Sequence, residues 1–347
     1  MAASSTAALA EAPANPQTSP FTEIKKEYGL FSGPEVREAI AALPADSWIV
    51  ESLIPHCSVN ILVGDSGVGK TALGYQLALA VASGTPFLGF AARKNKVLLV
   101  DYENAIWDFD WILEQQRKFL GLPEYPSTFL LWPFVPSHRE GVVEKAILRL
   151  RPQLVILDSL RSYCPEMERD NVLAGRQLGK LRRVTRDCGA AILLMHHVHK
   201  RRGRSGDLEE GNALDWLLRA AGSRALINQT DVRLALTAQK NAGAEEVLLL
   251  RGQARTRGEI GPLYLRRRFD AEGEPLGYER LRIDPSQFLN PQQQAAWESL
   301  AESFRFRDAR RVYGKHDELT NQFLHKLLDL GLLQKVARGQ YHKCEIE

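Results

Sequence analysis

With 347 residues, 44% of them hydrophobic and 25% charged, the chain is long enough to form one large domain and a small one. A formal charge of +3 excludes polyanion binding driven by net charge, so any nucleic-acid contact must come from local clusters. No apolar run approaches a membrane span and no basic residue precedes Lys25, so neither a spanning helix nor a secretory leader is expected.

Residues 1–20 are rich in Ala, Ser, Thr and Pro, and residues 1–27 are expected to be a disordered or extended tail. The stretch 48–55 leads into an apolar, β-branched strand at 59–63, and strong helix formers follow at 72–82. Between them Gly64-Asp65-Ser66-Gly67-Val68-Gly69-Lys70-Thr71 fits G-x-x-x-x-G-K-[ST]. The strand–loop–helix context gives the pattern its chemistry. Glycines let successive N–H groups point at phosphate oxygens, and the helix start, from Ala72 onward, adds a positive dipole end. Lys70 then reaches the β- and γ-phosphates and the Thr71 hydroxyl ligates Mg²⁺, so ATP and Mg²⁺ are the expected ligands.

Further buried strands are expected at 96–102, 128–134, 153–159 and 190–196, with helices at 107–119, 140–150 and 171–188. That alternation predicts an α/β fold, a mostly parallel sheet flanked by helices. Segments 232–237, 246–250 and 263–269 read as antiparallel strands added late. Residues 28–285 are therefore expected to form one nucleotide-binding domain.

Three of these strands end in candidate site residues. Leu154 to Leu157 leads to Asp158, placed to hold Mg²⁺ through water or, alternatively, to cap a helix. Val97 to Val100 leads to Asp101 and Glu103. Glu103 is assigned as the base that orients water, with Asp101 as its rival, at the carboxyl edge where ligands sit in open α/β sheets. Ala191 to Met195 leads to His196 and His197, which are either γ-phosphate sensors or satisfied core residues. The next loop carries Lys200, Arg201, Arg202 and Arg204, four cations able to follow a single-stranded phosphate backbone or simply to face solvent. Arg266-Arg267-Arg268 is a weaker basic run, because strand side chains alternate faces.

Residues 286–347 read as three helices and a hairpin, similar to a winged helix-turn-helix. The third helix would bury Phe323, Leu324, Leu327 and Leu328 and present Asn321, Gln322 and Lys326 to duplex DNA, with Arg338 in the wing. Protein docking is the alternative use of such a unit. Cys57, Cys164, Cys188 and Cys344 are widely spaced without metal-ligand spacing, which fits reduced thiols and a cytoplasmic location.

Taken together, the phosphate loop, VLLVDYEN, LVILDS and AILLMHHVHK resemble the RecA-like ATPases, and within them the RepA-like hexameric helicases, over roughly residues 48–283. The resemblance implies Lys70 and Thr71 on phosphate and metal, Asp158 as the metal-side acid, Glu103 as the base and His197 or His196 as the sensor. It also implies a homo-oligomeric ring or filament in which a neighbour supplies a cationic finger. Family members often carry Arg-Gly-Ser where this chain has Ala221-Gly222-Ser223, and Lys240-Asn241-Ala242 keeps a lysine but lacks a following arginine. Arg219, Arg224 and Lys240 are the remaining trans-acting candidates. Two readings follow: an ATP-hydrolysing enzyme acting on DNA, a RepA-like helicase or related replication or repair ATPase, or an ATP-dependent regulatory switch whose winged-helix-like unit docks DNA or a protein without motor activity.

Overall fold

The computed structural model describes residues 32–41, 48–133, 135, 141–198, 208, 213–239, 247–256, 258–281, 289–330, 332–337 and 339–344. The chain divides into two compact units, Met1–Ser47 and Trp48–Glu347. In the first, helix α1 (Gly33–Ala41) starts at Ser32, whose N–H donates to Glu35 Oε2 at 2.7 Å. Such a reciprocal side chain satisfies one of the otherwise orphaned donors at a helix start.

The second unit opens with a short antiparallel pair, β1 (Trp48–Val50) and β2 (Ile54–Pro55). Its centre is a nine-stranded sheet in the order β11-β10-β9-β8-β3-β7-β6-β4-β5. The strands are β3 (Val59–Gly64), β4 (Val97–Asp101), β5 (Phe129–Pro133), β6 (Leu154–Asp158), β7 (Ala191–His197), β8 (Val232–Gln239), β9 (Val247–Ala254), β10 (Gly258–Phe269) and β11 (Pro275–Arg280). All pairs from β8 across to β5 are parallel, and β8 to β11 are joined antiparallel. The expected α/β architecture is present, a mostly parallel sheet flanked by helices with antiparallel strands added late.

One expectation needs correcting. The 232–237 segment is not purely antiparallel, because β8 runs parallel to β3 and antiparallel only to β9. Helices α7 (Ala213–Ala220) and α8 (Arg224–Asn228) precede β8 and give the chain the long crossover that a parallel pairing requires. The hairpin-type connections begin only after β8.

Helices cover both faces. Beside α2 (Lys70–Ser83) and α3 (Ile106–Phe119), one face buries Leu62, Leu99, Ile156, Leu193 and Met195. The other buries Val63, Val100, Leu157, Ile192 and Leu194 under α4 (Val142–Leu150), α6 (Asn171–Cys188), α7 and α8. Between β6 and α6 lie the single-turn α5 (Leu160–Tyr163) and a 3-10 turn, Pro165–Glu168. Because strand side chains alternate, odd and even positions near each strand end face different helix layers. Both sides are apolar, as expected of a parallel sheet covered on two faces.

The chain ends in α9 (Pro291–Ser299), β12 (Ser303–Arg305), α10 (Phe306–Tyr313), α11 (Asp317–Asp329), β13 (Leu333–Ala337) and β14 (Gln340–Lys343). Three helices and a hairpin were expected; the structure adds β12, which pairs with β14 in a three-stranded sheet ordered β12-β14-β13. A three-residue strand between two helices leaves too little alternation to be read in sequence. Phe323, Leu324 and Leu327 are buried, as is Trp297, over which the Lys343 ammonium sits 4.4 Å from the ring centroid. All four cysteines are free thiols. No helix among the described residues is long and apolar enough to cross a membrane.

Candidate active site

The strand ends meet along one edge. Register pairs Asp101 with Asp158 and Asp158 with Met195, and pairs Gly64 with His197 two residues further along, so the residues singled out in sequence lie at the same end of β3, β7, β6 and β4. β7 separates the phosphate-loop strand from the Asp158 strand.

At Gly64, the last residue of β3, a Cβ would lie 2.7 Å from the Leu236 carbonyl oxygen, so the position has no room for a side chain. Gly69 has φ +96°, and a Cβ on it would collide with the Tyr278 hydroxyl. Only glycine suits such a position. Tyr278 belongs to β11, whose backbone is gripped by the Gln76 amide: Gln76 Nε2 donates to the Tyr278 carbonyl and Gln76 Oε1 accepts from its N–H, both at 2.8 Å. The last strand of the sheet is thus fastened to the first turns of α2. The Lys70 ammonium donates to the carbonyls of Gly64 (2.9 Å) and Asp65 (2.7 Å). Burial pulls the Lys70 ammonium down to about 8, against the opposing pull of Asp158, Asp65 and Glu103.

Asp158 is 3% exposed and takes a hydrogen bond from the Thr71 hydroxyl, while its Oδ1 is buried with no hydrogen-bond partner. An orphaned anionic oxygen beside a hydroxyl at the start of α2 suits a hard divalent cation. Among the described residues no cluster of three or more His, Cys, Asp or Glu is arranged to hold a metal, so such an ion would draw its other oxygens from phosphate and water. Burial, aided by Asp101 and Glu103, pushes the Asp158 carboxyl up from 3.8 to about 6. Its folded value exceeds its unfolded one, so its contribution to stability is complete below 3.8 and lost as pH rises through about 6. A shift of that size is worth about 3 kcal/mol at neutral pH. Asp158→Asn, without nucleotide or metal, is therefore expected to be more stable than wild type at pH 7 by about 1–3 kcal/mol, and to lose that advantage as the pH falls from about 6 to 3.8. Urea midpoints at the two pH values check this.

The structure separates the two acids after β4. Asp101 is 1% exposed and accepts from Tyr75 Oη (2.7 Å), from the backbone N–H groups of Glu103 (2.9 Å) and Asn104 (3.1 Å), and from Asn104 Nδ2 (2.7 Å). Its lone pairs are engaged in shaping the loop. The Glu103 backbone belongs to that turn, but its carboxylate takes no part in the Asp101 bonds. It accepts from the Ser159 hydroxyl and from Ser162 Oγ (3.3 Å), and His197 Nε2 lies 3.6 Å from its Oε2. His197, Ser159 and Ser162 hold the Glu103 carboxyl down to about 2, against the opposing effect of burial.

The paired histidines part company. His197 shares the α2 side of the sheet with Asp158 and Asp101, and its Nδ1 is buried without a hydrogen-bond partner. His196 is fully buried on the other side, with Nε2 3.0 Å from the Ala221 carbonyl and Nδ1 3.6 Å from Glu168 Oε1. The site edge therefore gathers Lys70, Thr71, Asp158, Glu103 and His197, and not His196.

The remaining candidates lie elsewhere. Lys200, Arg201, Arg202, Arg204, Lys240 and Arg338 fall outside the described residues. Arg219 is on α7, donating to the Asp215 carbonyl at 3.2 Å, and Arg224 is exposed at the start of α8. Asn321 and Gln322 are exposed on α11, whereas Lys326 turns back to Gln293 Oε1 at 3.3 Å. Sequence reasoning passed over Ser159, Ser162, Gln76 and Tyr278. Ser159 directly follows Asp158 and was within reach of a motif reading, but nothing local marks Tyr278, which is distant in sequence from the loop it touches.

Residues 29–203 match a family model described as an AAA domain, about half of the chain. Among solved structures the chain is similar to a KaiC-like protein from the hyperthermophilic archaeon Pyrococcus horikoshii OT3. The identity is 14% over 69% of this chain and 96% of that one, with a TM-score of 0.43. It is also similar to a RadB recombinase, at 20% identity over 66% of this chain and 92% of that one, with a TM-score of 0.44.

Proposed function

The chain belongs to the AAA domain family, and on that premise we propose that it binds ATP with Mg²⁺ on the Gly64–Thr71 loop, hydrolyses it, and works on DNA. The reading places it with the RepA-like helicases or a related replication or repair ATPase. The observation that carries it is the convergence of Lys70, Thr71, Asp158, Glu103 and His197 on one sheet edge.

Lys70 and the backbone N–H groups of the loop bind the phosphates, with the start of α2 behind them. Thr71 and Asp158 hold the Mg²⁺, which when bound neutralises charge on the β- and γ-phosphate oxygens. Glu103 aligns the attacking water. Held near 2, its carboxylate is a weak proton acceptor, so its part is to orient and polarise water more than to abstract a proton. His197 bridges Glu103 and the γ-phosphate. Residues 28–285 make up the ATPase domain and 286–347 a winged-helix-like domain, the latter supported by the three helices and three-stranded sheet near the chain's end, while 1–27 lie outside the described residues. DNA contacts come from the basic loop for single strands, and from Asn321 and Gln322 of α11 for duplex. The protein assembles as a homo-oligomer in which Arg219, Arg224 or Lys240 serves a neighbouring site.

One observation favours a second reading, a nucleotide switch without motor activity. The segment where relatives often carry an arginine is built into the fold here: the Ala221 carbonyl holds His196, and Ser223 Oγ donates to Asn171 Oδ1 at 2.8 Å. Steady-state ATP hydrolysis with Mg²⁺, with and without single-stranded DNA, separates the two. A several-fold rise with DNA is expected. Tight ATP binding with background turnover under both conditions would support the switch.

A further inference from the structure

Among the described residues Glu168 is a buried charge that the phosphate-loop edge does not account for. It closes the 3-10 turn after α5, its side chain is 2% exposed, and it is not part of the edge that faces the phosphate loop. Its two oxygens reach opposite ways. Oε1 lies 3.6 Å from His196 Nδ1, and Oε2 lies 3.5 Å from Arg161 Nε. The Arg161 contact is an ion pair, and the His196 contact becomes one only when the imidazole is protonated. Such a buried pair is weak evidence of stabilisation, because desolvating both charges offsets much of their attraction. Fixing a geometry is the better-attested use of such a pair.

The geometry being fixed is visible in what the same short elements do on their other side. Ser159 and Ser162, which flank Arg161 in and before α5, both donate to Glu103. His197, bonded through one peptide to His196, meets Glu103 from β7. The contacts form a closed circuit: Glu103 to Ser159 and Ser162, along α5 to Arg161, across to Glu168, on to His196, and through His197 back to Glu103. His196 is tied a second time by the Ala221 carbonyl. Removing the Glu168 charge would take away this side-chain link between α5 and the end of β7, leaving the backbone pairing of β6 with β7 and the shared contacts to Glu103 to hold their spacing.

We propose that Glu168 is a positioning residue of the hydrolytic site, setting the spacing between His197 and Glu103 by clamping Arg161 and His196 behind them. The inference rests on the assignment of Glu103 and His197 to ATP hydrolysis. The placement of His197 is measurable without turnover, however, and that separates the two claims. Displacements of about 1 Å in a reacting constellation cost on the order of 10²-fold in rate, so a rear clamp has a kinetic signature.

The test combines a double-mutant cycle with histidine NMR at fixed pH. Glu168→Gln keeps the size of the side chain and removes its charge. It is expected to lower kcat for ATP about tenfold while the KM for ATP stays within about twofold, and to have less than about a twofold effect in a His197→Ala background. In ¹⁵N-histidine spectra, Glu168→Gln is expected to shift the ring signals of His197 as well as those of His196. Arg161→Gln, at a side chain 53% exposed, is the companion variant should Glu168→Gln fail to fold, with the same pattern at smaller amplitude. The proposal is overturned if the Glu168→Gln loss multiplies in full on His197→Ala, or if kcat is unchanged, or if the His197 signals stay in place. If wild type itself does not hydrolyse ATP, the functional reading fails, and the NMR arm alone decides whether Glu168 positions His197.

Discussion

Glu103→Gln is expected to lower kcat for ATP hydrolysis by about 10²–10⁴-fold, the usual range for a group that manages the attacking water. Nucleotide affinity is expected to stay within about twofold, because a change confined to the transition state appears in kcat. The structure gives the reason for that split. Glu103 bonds to Ser159, Ser162 and His197, at the end of β4, and none of these is in the Gly64–Thr71 loop. Glutamine still accepts from both serines, so the loop keeps its shape, but it brings no negative charge to the water. Asp101→Asn provides the contrast. Asp101 receives four hydrogen bonds from Tyr75, Asn104 and the Glu103 backbone, so its loss is expected to loosen the loop and lower stability as well as rate. Stopped-flow nucleotide binding, single-turnover hydrolysis and thermal melting distinguish the two variants. If Glu103→Gln turns over like wild type, the assignment of the water-orienting acid is wrong.

Lys70→Ala is expected to bring hydrolysis to background, a loss of at least about 10²–10³-fold, comparable to removing one donor aimed at transition-state charge. The fold should survive. The ammonium is buried, and burial pulls it down to about 8, so its charge at neutral pH is held against a desolvation cost that alanine removes. What alanine leaves are the Gly64 and Asp65 carbonyls that Lys70 bonded. A melting temperature within a few degrees of wild type, together with lost hydrolysis and weakened ATP binding, is the outcome that ties the loop to catalysis. Unchanged hydrolysis in this variant would remove the phosphate loop from the mechanism.

The sequence by itself determined the phosphate loop, since its eight residues carry both the glycines and the charged groups that the chemistry needs, in contiguous order. It also determined the alternation of strands and helices, and hence the covered parallel sheet, because buried apolar runs and helical stretches take turns along the chain. The ends of β4, β6 and β7 could be named as site edges for the same reason: each apolar run stops at an acid or a histidine. Three matters belonged to the tertiary structure alone. Which of Asp101 and Glu103 faces the site depends on Tyr75 and Asn104 closing around Asp101. Which histidine faces the site depends on side-chain parity, and a sheet apolar on both faces hides parity from sequence. The direction of β8 and the seating of Tyr278 against Gly69 depend on which strands become neighbours, a choice made by packing across long stretches of chain and written in no single segment of it.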